Sequence, residues 1–307
     1  MKRFSLVLFI IIATASITSA QVRPFNAAGV AGGHQHLGTA DNAAYTAFWT
    51  ALGAEPAALG QTQILKFPGI FFMVAGRGGR GGGGRGAAAP GAAPAAGGAP
   101  ATAAAPPAGG APRGGGAPAG PLLGSEGSSV EYIGFKVKDI NATLAKLDAI
   151  GVKPLPGSTK LQTFVMSPDM VKVQLVADPA LATPIAHDEI LMKVPSAADA
   201  SAWYAKWFGA KVVKEGPSTV AQIPGINIRF AETKDPVAGT QGRAIDHIGF
   251  EVKNLEALAQ KLTEAGVKIN NPYRAAPAQL APLKSIMFIT DPWGTYIELN
   301  EGFSEVK

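Results

Sequence analysis

Histidine is the residue type whose placement in this sequence most clearly suggests chemistry. The chain of 307 residues contains four histidines, His34, His36, His187 and His247, and no cysteine. Each histidine opens or lies in a short segment of the kind that predicts a strand. Imidazole combined with carboxylate binds divalent transition metals. A single histidine on a strand is more often a structural residue, so the arrangement of the strands decides between the two interpretations.

Two segments of 22 residues repeat each other and show which elements carry these residues. The segments "YIGFKVKDINATLAKLDAIGVK" (132–153) and "HIGFEVKNLEALAQKLTEAGVK" (247–268) share 11 of their 22 residues. In each, a strand is followed by apolar residues at helical spacing and then by a glycine that can end a helix. Further along, "FVMSPDMVKVQL" and "FITDPWGTYIEL" each predict two strands around a turn that contains proline.

Two less similar segments open in the same way. The segments "HQHLGTADNAAYTAFWTALGAE" (34–55) and "HDEILMKVPSAADASAWYAKWFGAK" (187–211) each predict a strand and then a helix with aromatic residues on its inner face. Short predicted strands follow both. The sequence therefore predicts an α+β fold of four βαβββ units, which we number first to fourth in chain order. It does not indicate which units pair with each other.

These motifs resemble the vicinal oxygen chelate superfamily, which includes glyoxalase I, fosfomycin- and bleomycin-resistance proteins and extradiol dioxygenases. The fourth unit carries the resemblance most specifically, in "DHIGFEVKNLEALAQKLTEAGV" and "FITDPWGTYIELNE". The resemblance implies two tandem glyoxalase-like domains, each an open barrel of two units around one cavity. It also implies that metal ligands, usually two histidines and a glutamate, come from the first strand of each unit and the last strand of one or both.

Carried onto this sequence, the resemblance implies a metal site in the second domain only. The ligands would be His247 and Glu298 from the fourth unit and Glu189 from the third, with His187 as a substitute two residues earlier. Fe²⁺, Mn²⁺, Ni²⁺ and Zn²⁺ all suit such a set. If His187 is the ligand, Glu189 is free to act as the catalytic base.

The first domain carries other residues at the corresponding positions. They are His34 (with His36 on the same strand face), Met73, Tyr132 and Gln174. Neutral glutamine binds divalent metals more weakly than carboxylate does, and tyrosine loses its proton only near pH 10. We therefore expect the first domain to have lost its metal. The ligand interpretation is favoured for His247 but not for His34 and His36.

Arg229 occupies the closing position of the third unit, where a guanidinium would repel a metal cation. It could pair with Glu189 and Glu298 in an ion-pair network, bind a substrate carboxylate, or face solvent if the strand is shifted by one residue. Trp293 in "DPWG" could flank a cavity and contact substrate, although a turn alone explains Asp, Pro and Gly there. A metal site and a metal-free binding pocket remain nearly equal alternatives.

The N-terminal residues have the layout of a secretory signal peptide. The segment "MKRFSLVLFIIIATASITSA" (1–20) has a basic start, an apolar run and a small-residue end, so we expect cleavage after Ala20. The apolar run is too short to span a bilayer comfortably. We therefore expect a periplasmic or secreted protein that has no membrane contact after cleavage. Without Lys2 and Arg3 the formal charge is 25 − 22 = +3, too small to indicate a nucleic-acid partner.

Composition and the units together suggest the domain boundaries. We predict an N-terminal segment (21–29), a first domain (30–178) and a second domain (185–303). The stretch 76–121 consists almost entirely of Gly, Ala and Pro, so it is predicted to be a disordered insertion in the first domain. Its "GRGGRGGGGRG" could suggest RNA binding, but no aromatic residue is present for base stacking.

The expected function is that of an exported glyoxalase- or dioxygenase-like protein that binds a small molecule. With a metal in the second domain, it would catalyse isomerisation, lyase chemistry or dioxygenation of an oxygen-chelating substrate. The alternatives are a metal-free binding protein of the resistance type and a structural or interaction protein. The sequence indicates neither the substrate nor the oligomeric state.

Overall fold

A computed structural model describes residues 22–76 and 121–306 of the chain. The predicted signal peptide (1–20) lies outside the described residues, as does the predicted insertion (76–121) apart from its two end residues. Among the described residues, no helix is long and apolar enough to cross a membrane.

The first and third units have the predicted βαβββ order. The first unit comprises β1 (Val30–Thr39), α1 (Asn42–Leu52), β2 (Glu55–Leu59), β3 (Thr62–Phe67) and β4 (Ile70–Gly76). The third unit comprises β8 (Ile185–Val194), α3 (Ala197–Phe208), β9 (Lys211–Glu215), β10 (Ser218–Ile223) and β11 (Ile226–Glu232).

The fourth unit also has the predicted order, and the second unit is one strand shorter. The second unit comprises β5 (Val130–Val137), α2 (Ile140–Asp148), β6 (Gln162–Met166) and β7 (Lys172–Ala177). The fourth unit comprises β12 (Ile245–Val252), α4 (Leu255–Glu264), β13 (Lys268–Ala275), β14 (Ser285–Thr290) and β15 (Tyr296–Glu301). In place of a third closing strand, the second unit forms only an isolated bridge between Pro154 and Val165. Proline has no N–H to donate to a strand ladder, which explains why pairing does not extend there.

Each helix begins at a polar cap that directly follows the opening strand of its unit. The side chains of Asp41, Asp139, Ser196 and Asn254 accept hydrogen bonds from backbone N–H groups of the first helical turn. The inner faces of the helices carry the aromatic and aliphatic residues expected from their spacing, including Trp49, Tyr204 and Leu262. Capping and amphipathic spacing thus fix where each opening strand stops.

The strands form two sheets, and each sheet combines two units. The eight-stranded sheet has the order β13-β14-β15-β12-β1-β4-β3-β2 and joins the first unit to the fourth. The seven-stranded sheet has the order β6-β7-β5-β8-β11-β10-β9 and joins the second unit to the third. In both sheets the opening strands of the two units pair antiparallel at the centre, β1 with β12 and β5 with β8.

The pairing of units that the sequence left open is therefore first with fourth and second with third. Both sheets contain strands from each side of the predicted boundary between residues 178 and 185. A large apolar cluster joins the sheets and the helices, and it includes Trp49, Phe135, Phe208 and Phe250, all almost fully buried. At about 25 cal/mol per Å² of buried apolar surface, such a core supplies the main stabilisation of a chain that has no disulfides.

Candidate metal centre

Three histidines and one glutamate meet where the first unit joins the fourth. β1 and β12 run antiparallel with His36 opposite His247 and with His34 opposite Gly249. β15 lies beside β12 in parallel, and its Glu298 is in register with Gly249. Because side chains two residues apart on a strand share a face, His34 and His36 both point to the side that carries His247 and Glu298.

The four side chains are close enough to share one cation. Each offers one ligand atom, and these atoms all lie within 4.8 Å of one another. Oε2 of Glu298 lies 2.7 Å from Nε2 of His247 and 3.3 Å from Nε2 of His34. Nδ1 of His36 lies 2.9 Å from Nε2 of His247. Three ring nitrogens and a carboxylate oxygen therefore converge on one point.

The cluster is buried, and burial competes with pairing in setting its charges. Burial lowers the pKa of His34, and burial together with the nearby His247 lowers the pKa of His36 to about 4. Burial would also lower the pKa of His247, but hydrogen bonds to Asp246 and Glu298 outweigh it and raise that pKa to about 9. Burial acts to raise the pKa of Glu298, yet His34 and His247 hold it well below its usual range. The carboxylate is thus ionised, and two of the three imidazoles are neutral.

Two polar residues behind the cluster hold its members in place. Nδ1 of His247 donates to Oδ1 of Asp246 at 2.6 Å, which leaves Nε2 as the nitrogen that faces the cluster. Nδ2 of Asn300 donates to Oε1 of Glu298 at 2.7 Å, so Oε2 is the oxygen directed at the histidines. Such outer partners fix the tautomer and orientation of metal ligands.

A divalent cation fits this set on the chemistry of its donors. With Nδ1 of His247 donating to Asp246, Nε2 can carry at most one proton, yet both Glu298 and His36 lie within hydrogen-bond distance of it. The facing nitrogens are Nε2 of His34 and Nδ1 of His36; the other nitrogen of each ring is buried without a hydrogen-bond partner and is not a candidate ligand atom. A cation could be bound by all four facing atoms at once, whereas the single proton on Nε2 of His247 is shared between Glu298 and His36.

The structure does not bring all the predicted ligands together. His247 and Glu298 are in the cluster, but Glu189 and His187 are on β8 in the other sheet. Histidines of the first unit take their places, because β1 rather than β8 is the neighbour of β12. The cluster is therefore not confined to the second predicted domain. Glu189, predicted as a possible catalytic base, lies in the seven-stranded sheet, where its carboxylate accepts hydrogen bonds from Arg229 and Tyr132.

His187 has a structural environment. Its ring meets the rings of Phe135 and Phe72 edge-on, and Nδ1 lies 3.3 Å from the carbonyl oxygen of Gly225. Burial lowers its pKa to about 4. A neutral, buried imidazole among aromatic side chains is the ordinary state of a core histidine.

The seven-stranded sheet has a second polar cluster at the equivalent position. Glu189 lies opposite Gly134 as His34 lies opposite Gly249, and Gln174 is in register with Gly134 as Glu298 is with Gly249. The hydroxyl of Tyr132, at the position of His247, donates to Glu189 at 3.0 Å and accepts from Gln174 at 3.3 Å.

Arg229 provides the positive charge in this second cluster. Its Nε donates to Glu189 at 2.8 Å, and a terminal nitrogen donates to Glu215 at 2.6 Å. Of the predicted alternatives for Arg229, the structure shows an ion-pair network with Glu189, but with Glu215 in place of Glu298. A guanidinium therefore compensates the buried carboxylate here.

A cavity of about 480 Å³ opens over the second cluster. Its lining includes Tyr132, Gln174, Glu189 and Arg229, together with Lys136 and Asp188, which form an ion pair at 3.1 Å. This volume lies in the range of small-molecule sites, about 300–1,000 Å³. Arg229, predicted to bind substrate, thus lines a cavity, but none of the four clustered residues His34, His36, His247 and Glu298 lines it.

Trp293 lies away from both clusters. It sits in the turn between β14 and β15, where its backbone N–H donates to Oδ1 of Asp291 and its ring meets Trp203 of α3 edge-on, with centroids 6.2 Å apart. The turn interpretation of "DPWG" accounts for this residue, and no contact with either cluster supports its predicted role in substrate binding.

Comparisons with known proteins agree with this architecture. Residues 187–299 match the Glyoxalase/Bleomycin resistance protein/Dioxygenase superfamily. Among solved structures, a mutant of glyoxalase I from Zea mays is similar over 90% of this chain and 95% of its own, with a TM-score of 0.58 and 13% identity. A putative dioxygenase from Bacillus subtilis is similar over 93% of this chain and 87% of its own, with a TM-score of 0.56 and 12% identity.

These matches confirm the resemblance and the fold. The match by sequence is confined to residues 187–299, in the third and fourth units, and the likeness of fold extends over nearly the whole chain. No curated protein matches the sequence. At 12–13% identity the solved structures establish the fold and not the reaction.

Proposed function

We propose that this protein is a metal-dependent enzyme that acts on a small substrate bearing two neighbouring oxygen atoms. The observation that carries the proposal is the convergence of His34, His36, His247 and Glu298 within 4.8 Å of one another. The four come from three strands of two units. Such convergence is not needed for folding, because a buried polar cluster costs stability unless it is satisfied.

The residues would hold a metal in a way that leaves room for substrate. A set of imidazole and carboxylate donors suits Fe²⁺, Mn²⁺, Ni²⁺, Zn²⁺ or Co²⁺, several of which accept more than four ligands. When bound, such an ion acts as a Lewis acid toward coordinated substrate oxygens. This chemistry is shared by isomerases, lyases and dioxygenases, so we propose the class of substrate and not one reaction.

The chain's own groups have distinct tasks in this proposal. Asp246 and Asn300 keep His247 and Glu298 aimed at the shared point. His36 is half-buried whereas the other three are buried, so in this proposal substrate would approach the centre from the side of His36. The rings of Phe288 and Tyr296 pack edge-on against the ring of His247, each at 5.5 Å, and would shield that side of the centre from water.

The proposal is tested by loading the protein with Co²⁺ and adding a bidentate oxygen ligand such as acetohydroxamate. We expect a cobalt absorption spectrum that changes on addition of the hydroxamate, and neither signal in a His36→Ala/Glu298→Ala variant. Loss of the cobalt signal in the variant together with retained thermal stability would assign the site. An unchanged cobalt spectrum in the variant, or no response to the hydroxamate in the wild type, would contradict the proposal.

A second candidate function is metal-free capture of a small molecule in the 480 Å³ cavity over Arg229. Both cations of the lining are already paired with carboxylates, Arg229 with Glu189 and Glu215 and Lys136 with Asp188, so an anionic ligand would meet no unpaired cation of this lining. We therefore propose an uncharged ligand that hydrogen-bonds to Tyr132 and the other polar side chains of the lining. The test is ligand-observed NMR with glucose, glucosamine and glucuronate. The three share one type of sugar ring but are uncharged, positively charged and negatively charged, respectively. Binding of glucose alone would support this function, and binding of glucuronate alone would refute it.

We further propose that the protein is exported to the periplasm or secreted. The support is the layout of residues 1–20, with its basic start, apolar run and small-residue end. Expression of the full chain in a Gram-negative host should give periplasmic protein whose N-terminus is Gln21 by mass spectrometry. An intact Met1 in the cytoplasmic fraction would contradict export.

A further inference from the structure

We infer that the C-terminal turn, residues 302–306, contributes to the metal centre in two ways. It positions the ring of His34, and it blocks the access of water to the metal on that side. The inference rests on the proposed metal function. It concerns a segment that supplies no ligand of its own. Phe303 and Glu251 are the positioning residues through which the turn acts.

A buried carboxylate on β12 fastens this turn to the sheet. Glu251 lies four residues after His247 on the same strand face and is 1% exposed. It accepts hydrogen bonds from the backbone N–H groups of Gly302, Phe303 and Ser304 and from the hydroxyl of Ser304, at 2.9–3.3 Å. Among the ion pairs formed by the described residues, none involves Glu251. The hydrogen bonds that its carboxylate accepts thus come from the turn.

The turn places an aromatic ring against a proposed metal ligand. Phe303 is fully buried, and its ring stacks on the ring of His34 with centroids 4.9 Å apart and planes 28° apart. On the same ring of Phe303, Phe71 also stacks, at 5.5 Å and 29°. Val306 and Leu283 pack in the same small apolar cluster and keep the turn in place.

Apart from the 3.3 Å contact between its Nε2 and Glu298, the ring of His34 forms no hydrogen bond to the described residues, so its orientation depends on these flat surfaces. Its Nδ1 is buried without a hydrogen-bond partner, in contrast to His247, whose Nδ1 is held by Asp246. A side chain at Gly249 would overlap the His34 ring, so the ring lies against the backbone of that glycine. Packing between Gly249 and Phe303 therefore orients the ring of His34, as the hydrogen bond to Asp246 orients the ring of His247.

The turn also closes one route to the metal. His34 is 0% exposed, whereas His36 remains partly accessible. Water that would replace His34 as a ligand must first displace Phe303. We expect the turn to slow metal release as well as to orient the ring.

The experiment compares Phe303→Ala with Glu305→Ala in Co²⁺-loaded protein transferred into excess chelator. Glu305 lies in the same turn, but it is exposed and pairs only with Lys284 at the surface. Loss of an outer partner of a metal ligand costs about 10–100-fold in affinity, so we expect Phe303→Ala to release cobalt at least about 10-fold faster. Glu305→Ala should release it at the wild-type rate.

A double-mutant comparison separates positioning of His34 from general loosening of the fold. If Phe303 acts through His34, Phe303→Ala should not accelerate release further in a His34→Gln background. Equal acceleration in both backgrounds would overturn the inference. If the wild type takes up no metal, the proposed function fails. The inference is then judged on the metal-free protein by the ¹H chemical shift of the His34 ring, which Phe303→Ala should move and Glu305→Ala should not.

Discussion

Gly249 and His34 face each other across the central strand pair of the eight-stranded sheet, and the imidazole fills the space that a side chain of Gly249 would occupy. The seven-stranded sheet repeats the relationship with Gly134 and Glu189, where an added Cβ would lie 2.8 Å from Cγ of Glu189. The glycine of the "IGF" motif is thus required by the residue opposite it. Neither glycine has a positive φ, so close approach and not backbone conformation explains both.

The first prediction follows from this contact. Gly249→Ala should displace the His34 ring and reduce metal affinity, and overpacking should cost about 1–3 kcal/mol of the free energy of unfolding. Gly266→Ala provides a control for the cost of alanine elsewhere in the fourth unit, since its Cβ would meet nothing within 4 Å, although its φ of +70° adds backbone strain. Urea denaturation and cobalt titration check both variants. Unchanged cobalt affinity in Gly249→Ala would contradict the role of this contact.

The second prediction concerns Asp246, which orients His247 through a hydrogen bond of 2.6 Å. Asp246→Asn should lower metal affinity about 10–100-fold, because the amide is a weaker acceptor and can also present its N–H₂ group to Nδ1. Asp188→Asn is the control, since Asp188 is also an aspartate that directly precedes a residue of a buried polar cluster, Glu189, but lies in the other sheet. Competition with a chelator gives the affinities. Equal affinities for the two variants would show that Asp246 has no such role.

The third prediction concerns the acid stability of the fold. Burial lowers the pKa of His187 to about 4 from a reference of 6.5. The unfolded chain therefore binds more protons between these values, and the free energy of unfolding rises with pH from about 4 to 6.5. His187 contributes its full stability above about pH 6.5 and loses it as the pH falls toward 4, by at most about 3 kcal/mol.

His187→Asn can keep a donor near the carbonyl oxygen of Gly225 while removing the titration. The variant should show a shallower fall in the free energy of unfolding between pH 6.5 and 4 than the wild type does. Urea denaturation across that range gives both slopes. Identical slopes would mean that His187 titrates normally in the folded protein.

The fourth prediction concerns the cation of the second cluster. Arg229→Met introduces the residue found at the equivalent position of β4, Met73, and leaves Glu189 buried without its guanidinium. Removing one partner of a buried pair costs about 3–5 kcal/mol, an upper limit here because Arg229 is partly exposed. Arg229→Met/Glu189→Gln should recover much of the loss. A double variant no more stable than Arg229→Met would contradict the pairing.

Local sequence patterns predicted the elements but not their partners. Strand and helix periods, the glycines that can end a helix and the repeated "IGF" motif indicated the four units, because each of these signals acts over a few residues. The choice of partner unit depends on contacts between distant parts of the chain. His34 and Glu298 are 264 residues apart, and no periodic signal connects them. The predicted ligand set therefore combined His247 and Glu298 with Glu189 and His187 of the other sheet, whereas the structure groups them with His34 and His36.

The sequence contains a positional signal for Asp246 and Asn300, the residues that hold two of the proposed ligands in place. Asp246 directly precedes His247 in "DHIGFEV", and Asn300 follows Glu298 by two residues on the same strand face in "ELNE". Polar residues that flank a candidate ligand on its own strand can be identified before the fold is known. Phe303 and Glu251 cannot, because their roles depend on how the chain's end folds back onto β12.

The central claim is that the metal ligands come from the first and fourth units. The most direct measurement is elemental analysis of metal-loaded protein for two matched double variants, His34→Ala/His36→Ala and His187→Ala/Glu189→Ala. Each pair replaces neighbouring side chains of one opening strand, β1 or β8. We predict near-stoichiometric metal in the wild type and in the β8 variant, and none in the β1 variant. Metal retained in the β1 variant and lost in the β8 variant would contradict the account.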